Sequence, residues 1–99
     1  MELAEMEENA GRAAELLKAM ANQQRLMILC MLLDAELSVT ELNEKLNLSQ
    51  SALSQHLALL RRDELVATRK IAQKVYYRVH SDEVRAVLET LYRCFCIPG

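Results

Sequence analysis

With 99 residues the chain holds material for one domain, because a compact domain takes roughly 100 to 150 residues; a two-domain enzyme is excluded, and residues 1–99 are read as one unit. A hydrophobic share of 52% beside 26% charged residues is that of a folding globular chain, while two Gly and one Pro are too few turn residues for an all-β sandwich or barrel. The net charge of −2 conceals a division, with four basic residues against nine acidic over 1–48, six (Arg61, Arg62, Arg69, Lys70, Lys74, Arg78) against two over 49–79, and two against three over 80–99. Such a dipolar chain suits a protein that presents one face to phosphate.

Residues 2–20 are read as a helix, since Leu3, Met6, Ala10, Ala13, Leu17 and Met20 recur three or four apart and Gly11 is the sole breaker. Asn22 can cap a second helix, in which Leu26, Met27, Leu29, Cys30 and Leu33 leave little polar surface, the pattern of a central buried helix. Ser38 and Glu41 have capping-box spacing and open a short third helix through Leu42 to Leu46. After Asn47 and Leu48, Ser49 caps a fourth helix that runs to Arg61 or Arg62 with Leu53, Leu57 and Leu60 inward. Two short helices joined by a few residues spell helix-turn-helix. Beyond Asp63 and Glu64 the period changes to two: Val66, Thr68 and Lys70 alternate with Ala67 and Arg69, and Val75, Tyr77 and Val79 with Tyr76 and Arg78. This predicts a β-hairpin with Ile71 to Lys74 between the strands. Ser81 caps a last helix carrying Val84, Val87, Leu88, Leu91 and Phe95, which ends near Cys96 before Pro98.

The expected fold class is therefore mainly α with a β-hairpin wing, a winged helix-turn-helix in the order of four helices, two strands and a fifth helix. Its logic is physical. A helix fits the major groove, and basic side chains on a hairpin reach phosphates or the neighbouring minor groove. With Leu53, Leu57 and Leu60 buried, the 100° helical step places Gln50, Ser51, Ser54, Gln55 and Ala58 on the opposite face. Taken alone, that is an ordinary solvated surface. Beside the basic 49–79 segment it becomes a reading face, with Gln50, Ser51, Ser54 and Gln55 as candidates for bases and Arg61, Arg69, Lys70 and Lys74 as candidates for phosphates. His56 falls toward the core side, which suits a structural or positioning role, and His80 ends the hairpin. No Ser/His/Asp set, glycine-rich phosphate loop or paired carboxylate pocket can be assembled, so the chain is read as a non-enzyme without a cofactor.

No stretch of about 18 apolar residues exists and the N-terminus is acidic, so the expectation is a cytoplasmic protein without a membrane partner. Its three cysteines are then reduced at rest and serve as buried fillers, metal ligands or redox sensors. In Met27 to Leu33, Cys30 has only apolar neighbours and fits a small buried hydrophobe, whereas Cys96 near Arg93 and the chain end has the exposure and positive neighbour that favour a thiolate.

Several segments resemble the ArsR/SmtB family of winged-helix repressors: Leu17 to Asn22 running into Arg25 to Leu29, then Glu36 to Leu42, Leu48 to Leu57, Leu60-Arg61, Leu65-Val66 and Tyr76-Tyr77. Cys30, the stretch Ser49 to Leu57 and the segment Tyr92 to Cys96 are most similar to the haemolysin-regulator branch, which is related to sulfide- and persulfide-responsive repressors. The resemblance implies a homodimer through the first and last helices, an inverted-repeat operator in double-stranded DNA as partner, and Cys30 and Cys96 as a reactive pair answering an oxidant or persulfide inducer. It also implies where metals would bind. Ser38-Val39-Thr40 stands where the arsenic-type site has Cys-Val-Cys, and Ser81, Glu83, Cys94 and Ile97 align with the zinc-type positions, so no family metal site is expected. The rivals are a metal-responsive repressor using Cys30, Cys94 and Cys96, a helical interaction protein that does not bind DNA, and a small thiol-peroxidase-like protein using Cys96.

Overall fold

The computed structural model describes residues 1–96, so the alignment of Ile97 and the stop at Pro98 lie outside the described residues. Helices α1 (Leu3–Met20) and α2 (Gln23–Leu33) are followed by a short strand β1 (Leu37–Ser38), helices α3 (Val39–Lys45) and α4 (Gln50–Arg62), strands β2 (Val66–Ile71) and β3 (Lys74–Val79), and helix α5 (Asp82–Phe95).

Four helices start on the expected caps. Asn22 Oδ1 accepts from the backbone N–H groups of Gln24 and Arg25 at 2.9 and 3.1 Å. Ser38 and Glu41 exchange side-chain and backbone hydrogen bonds at 3.2 and 3.0 Å. Ser49 Oγ accepts from Ala52 at 3.1 Å and Ser81 Oγ from Val84 at 3.2 Å. Each such cap stabilises its helix by about 1 kcal/mol. Helix α4 ends in a Schellman arrangement: Leu65 N–H donates to the Leu60 carbonyl at 2.9 Å and Glu64 N–H to the Arg61 carbonyl at 3.0 Å, with Glu64 at φ 63°. That turn aims the chain into β2.

The core is shared by Ile28, Leu29 and Leu32 of α2, Leu42 of α3, Leu53, Leu57 and Leu60 of α4, and Val84 and Leu88 of α5, closed on the sheet side by Leu65, Val66 and Val79. Arg85 Nη1 donates to the Leu33 carbonyl at 2.9 Å, tying the start of α5 to the end of α2. Helix α1 contributes one buried residue, Met20. Its Leu3, Met6 and Leu17 are exposed. The radius of gyration, 14.9 Å, exceeds the roughly 13 Å of a compact chain this long.

Three features depart from the sequence reading. The sheet has three antiparallel strands in the order β1-β3-β2, with Leu37 opposite Tyr77 and Ser38 opposite Tyr76. Strand β1 is too short to show an alternating pattern, and it forms because β3 offers a free edge. The hairpin turn is tighter than Ile71 to Lys74: these two residues pair across the ladder and the turn narrows to Ala72 and Gln73, with Ala72 at φ 55°. Finally, α2 is buried on one stripe only. Met27 and Cys30, three residues apart on its outer side, are exposed, so Cys30 is not a core filler.

Candidate nucleic-acid interface

The capping box fixes the start of α3, and the α3–α4 turn is held by Asn43 Nδ2 donating to the Leu48 carbonyl at 2.8 Å. Leu42 of α3 and Leu53 and Leu57 of α4 are all buried, which turns the opposite face of α4 outward. Gln50, Ser51, Ser54, Gln55 and Ala58 all lie exposed on that face. Ser51 Oγ is 3.3 Å from Ser49 Oγ, so its hydroxyl sits within the capping network at the helix start. Three neighbours were not singled out as site residues from sequence. Thr40 and Asn43 of α3 share a shallow depression with Gln50, and Tyr77 of β3 lines an open groove of about 460 Å³ with Ser54, Ala58, Arg61 and Arg62. The groove joins the outer face of α4 to the hairpin.

The proposed phosphate residues differ in how free they are. Arg61 is exposed at the end of α4. Arg69 Nε is bound to Glu36 Oε2 at 2.6 Å, an ion pair that braces the hairpin against the α2–β1 connection. Arg62 is likewise bound to Asp63, at 3.1 and 3.3 Å. Lys70 and Lys74 are both exposed near the hairpin end. Lys70 pairs with Val75 and Lys74 with Ile71, so the two lysines leave opposite faces of the ribbon. The Lys74 charge also reaches Glu41, whose carboxyl is held below the usual carboxylate range first by its hydrogen bonds from Ser38 and then by Lys74 and Lys45.

The cysteines stand apart from this face. Cys30, Cys94 and Cys96 are all exposed and free. Although Cys30 is at the surface, its thiol is partly desolvated; that raises its pKa above the ordinary thiol value, and the like charge of Cys96 raises it further. Arg93 donates to its own helix's Thr90 Oγ1 at 3.4 Å. Among the described residues no group of three or more His, Cys, Asp or Glu side chains gathers as a metal site, and no helix is long and apolar enough to cross a membrane.

Residues 22–68 match the model of the arsR family of bacterial regulatory proteins. The chain is 65% identical over 96 residues to the transcriptional activator HlyU of Vibrio cholerae serotype O1, covering 97% of this chain and 89% of that protein. It is 43% identical over 93 residues to a biofilm growth-associated repressor of Agrobacterium fabrum, covering 94% and 80% respectively. The solved structure of reduced HlyU from Vibrio cholerae matches this fold with a TM-score of 0.91 at 64% identity, over 96% of this chain and 100% of that one. These relatives are regulators of transcription, not enzymes. With its helix-turn-helix and hairpin wing, the chain belongs to the arsR family of bacterial regulatory proteins and is a transcriptional regulator.

Proposed function

We propose that residues 1–99 form a single DNA-binding domain that acts in the cytoplasm as a homodimer, reads an inverted-repeat operator, and loses DNA affinity when Cys30 and Cys96 become linked. One observation carries the DNA reading: the exposed, uncharged polar face of α4 lies beside a hairpin that carries Lys70 and Lys74. On α4, Gln50, Ser51, Ser54 and Gln55 are the base readers; Arg61, Lys70 and Lys74 hold phosphates, and Arg69 joins them only by releasing Glu36. Dimerisation is supported by the apolar side chains that α1 and α5 leave in water, among them Leu3 at 76% and Phe95 at 82% exposure, because a folded chain seldom keeps such stripes bare. A symmetric pair then sets two reading helices about one DNA turn apart, roughly 34 Å.

The switch rests on the effect of Cys96 on Cys30 and on the relative whose structure is of a reduced form. Partial desolvation makes the Cys30 thiolate harder to form, and in the proposed order the exposed Cys96 reacts first. With a hydroperoxide as oxidant, the Cys96 thiolate takes one oxygen to become a sulfenic acid while the O–O bond breaks and an alcohol or water leaves. The Cys30 sulfur then attacks the Cys96 sulfur, its proton departs with the hydroxyl as water, and the two electrons lost by the thiols have gone to the peroxide. With a persulfide RSSH as inducer, the Cys96 thiolate takes its sulfane sulfur and RSH leaves; a second persulfide then accepts the two electrons lost as Cys30 joins that sulfur, and departs as RSH and hydrogen sulfide, leaving one sulfur between the two cysteines.

Selection from a random duplex pool by the reduced protein tests this reading. An inverted repeat should be enriched, binding should weaken with salt, and sedimentation should give a dimer mass. Gln55→Ala should relax base preference by about 1–3 kcal/mol while leaving random-DNA affinity nearly intact. Equal loss on operator and random duplex would make Gln55 a positioning residue, and no enrichment at any salt would refute DNA reading by α4.

A further inference from the structure

Arg25, at the start of α2, touches three elements. Its backbone N–H completes the Asn22 cap. Its guanidinium donates through Nη1 to the Ala19 carbonyl at 3.2 Å, one of the last carbonyls of α1 that the helix itself leaves unpaired. Through Nε it donates to His56 Nδ1 on α4 at 3.3 Å. Arg25 and His56 are both half-buried. One side chain therefore joins the end of α1 to the back of the reading helix, at the residue next to Gln55.

An imidazole nitrogen accepts only when it carries no proton, so this bond requires neutral His56 protonated on Nε2. Imidazolium presents N–H at both nitrogens and a positive charge, and would face the guanidinium with nothing to accept its donor. Among the described residues no carboxylate pairs with His56 to stabilise an imidazolium. Glu15 and Lys18 of α1 and Arg62 and Asp63 at the end of α4 line one shallow cleft with Arg25, and Asp63 is already bound by Arg62. Of the charged groups on α3 and β2, Glu41 is committed to Ser38 and Arg69 to Glu36, while Glu44, Lys45 and Lys70 extend into solvent.

We propose that the Arg25–His56 hydrogen bond is a proton-sensitive strut that holds the reading helix against α1, so that protonating His56 frees the helix and weakens sequence-specific DNA binding. His56 is then a positioning residue, acting through Gln55 and its neighbours. The inference rests on the reading of α4 as the base-contacting helix. Its sign is distinctive: acidification makes any protein more positive and strengthens its attraction to phosphate, whereas release of the strut lowers operator affinity in particular.

The test measures operator and random-duplex affinity of the reduced protein at fixed salt between about pH 8 and pH 5.5, the range in which imidazoles change charge. The operator-to-random ratio of the wild type should fall on acidification by at least about fivefold, the low end of measured couplings between sites. In His56→Asn, Oδ1 can still accept from Arg25 and does not titrate, so the ratio should stay near its alkaline value throughout. His56→Leu, checked for folding by circular dichroism, should give the low ratio at every pH. A flat wild-type ratio, or His56→Asn retaining the wild-type pH dependence, overturns the strut. If the protein binds no duplex at any pH, the DNA reading fails instead, and the ring-nitrogen chemical shifts of His56 decide the bond: identical Nδ1 shifts in the wild type and Arg25→Ala would overturn it.

Discussion

Glu64 stands where the chain turns out of α4 in the left-handed region, at φ 63°, a conformation in which a β-carbon costs about 1–2 kcal/mol. Glycine there removes that strain but adds about 0.5–1 kcal/mol of chain entropy to the unfolded state. Glu64→Gly should therefore stabilise the fold by about 0.5–1 kcal/mol and raise Tm by about 2–8 °C in calorimetry; an unchanged or lower Tm would mean that the exposed Glu64 side chain supplies a compensating contact. At Glu41 the sign of a pH effect follows from its environment. Its carboxyl is held down by the Ser38 hydrogen bonds, then by Lys74 and Lys45. The stabilisation is present above the unfolded-state value of about 4.3 and is lost as pH falls through the lower folded-state value. Glu41→Gln keeps an acceptor at the same place in the capping box but cannot titrate. Urea unfolding between about pH 2.5 and pH 7 should show a shallower acid limb for Glu41→Gln than for the wild type.

Among the elements, the wing makes the clearest demand on experiment. Because Lys70 and Lys74 leave opposite faces of the ribbon and Lys74 is near enough to Glu41 to lower its pKa, they should not contribute equally at the phosphate backbone. Lys70→Ala should flatten the slope of log affinity against log salt by about 0.9, and Lys74→Ala by less. Both should weaken operator and random DNA alike, since phosphate contacts carry little sequence information. Equal slopes would show that the hairpin twists on binding to bring both lysines to one strand. The Glu36–Arg69 pair bears on the same element, since it ties Arg69, opposite Tyr76 in the middle of the ribbon, to the α2–β1 connection.

For the whole molecule, the question is how an event at the cysteines reaches α4. Cys30 lies on the outer stripe of α2 and Cys96 follows the end of α5, whereas the inner stripe of α2 packs against the same core as Leu53 and Leu57. In the proposed dimer, linking the thiols would tether the end of α5 to α2 behind α4, and a small displacement there would alter the spacing of the two α4 helices. Oxidation should lower operator affinity by about 1–3 kcal/mol. Cys30→Ser and Cys96→Ser should each abolish release by oxidant while keeping reduced-state binding, and Cys94→Ser should matter less. Release blocked by Cys94→Ser alone would reassign the pair, and a response surviving in all three variants would end the thiol-switch account.

The sequence by itself determined what depends on near neighbours. Asn22, Ser38, Ser49 and Ser81 were readable as caps because a cap bonds a backbone N–H two or three residues on. Leu53, Leu57 and Leu60 were readable as the inner face of α4, and its outer face followed from the helical period. The hairpin announced itself by alternation over β2 and β3. Only the tertiary structure decided the rest. Strand β1 exists because β3 has an edge to fill, and the outer side of α2 is bare because no described element covers it, so Cys30, whose apolar neighbours in sequence also suited a buried filler, is an exposed thiol. The Arg69–Glu36 pair joins residues 33 apart in the chain and the Arg25–His56 bond residues 31 apart. Contacts at such separations leave no period in the sequence, because they depend on how whole elements pack and not on the spacing within any one of them.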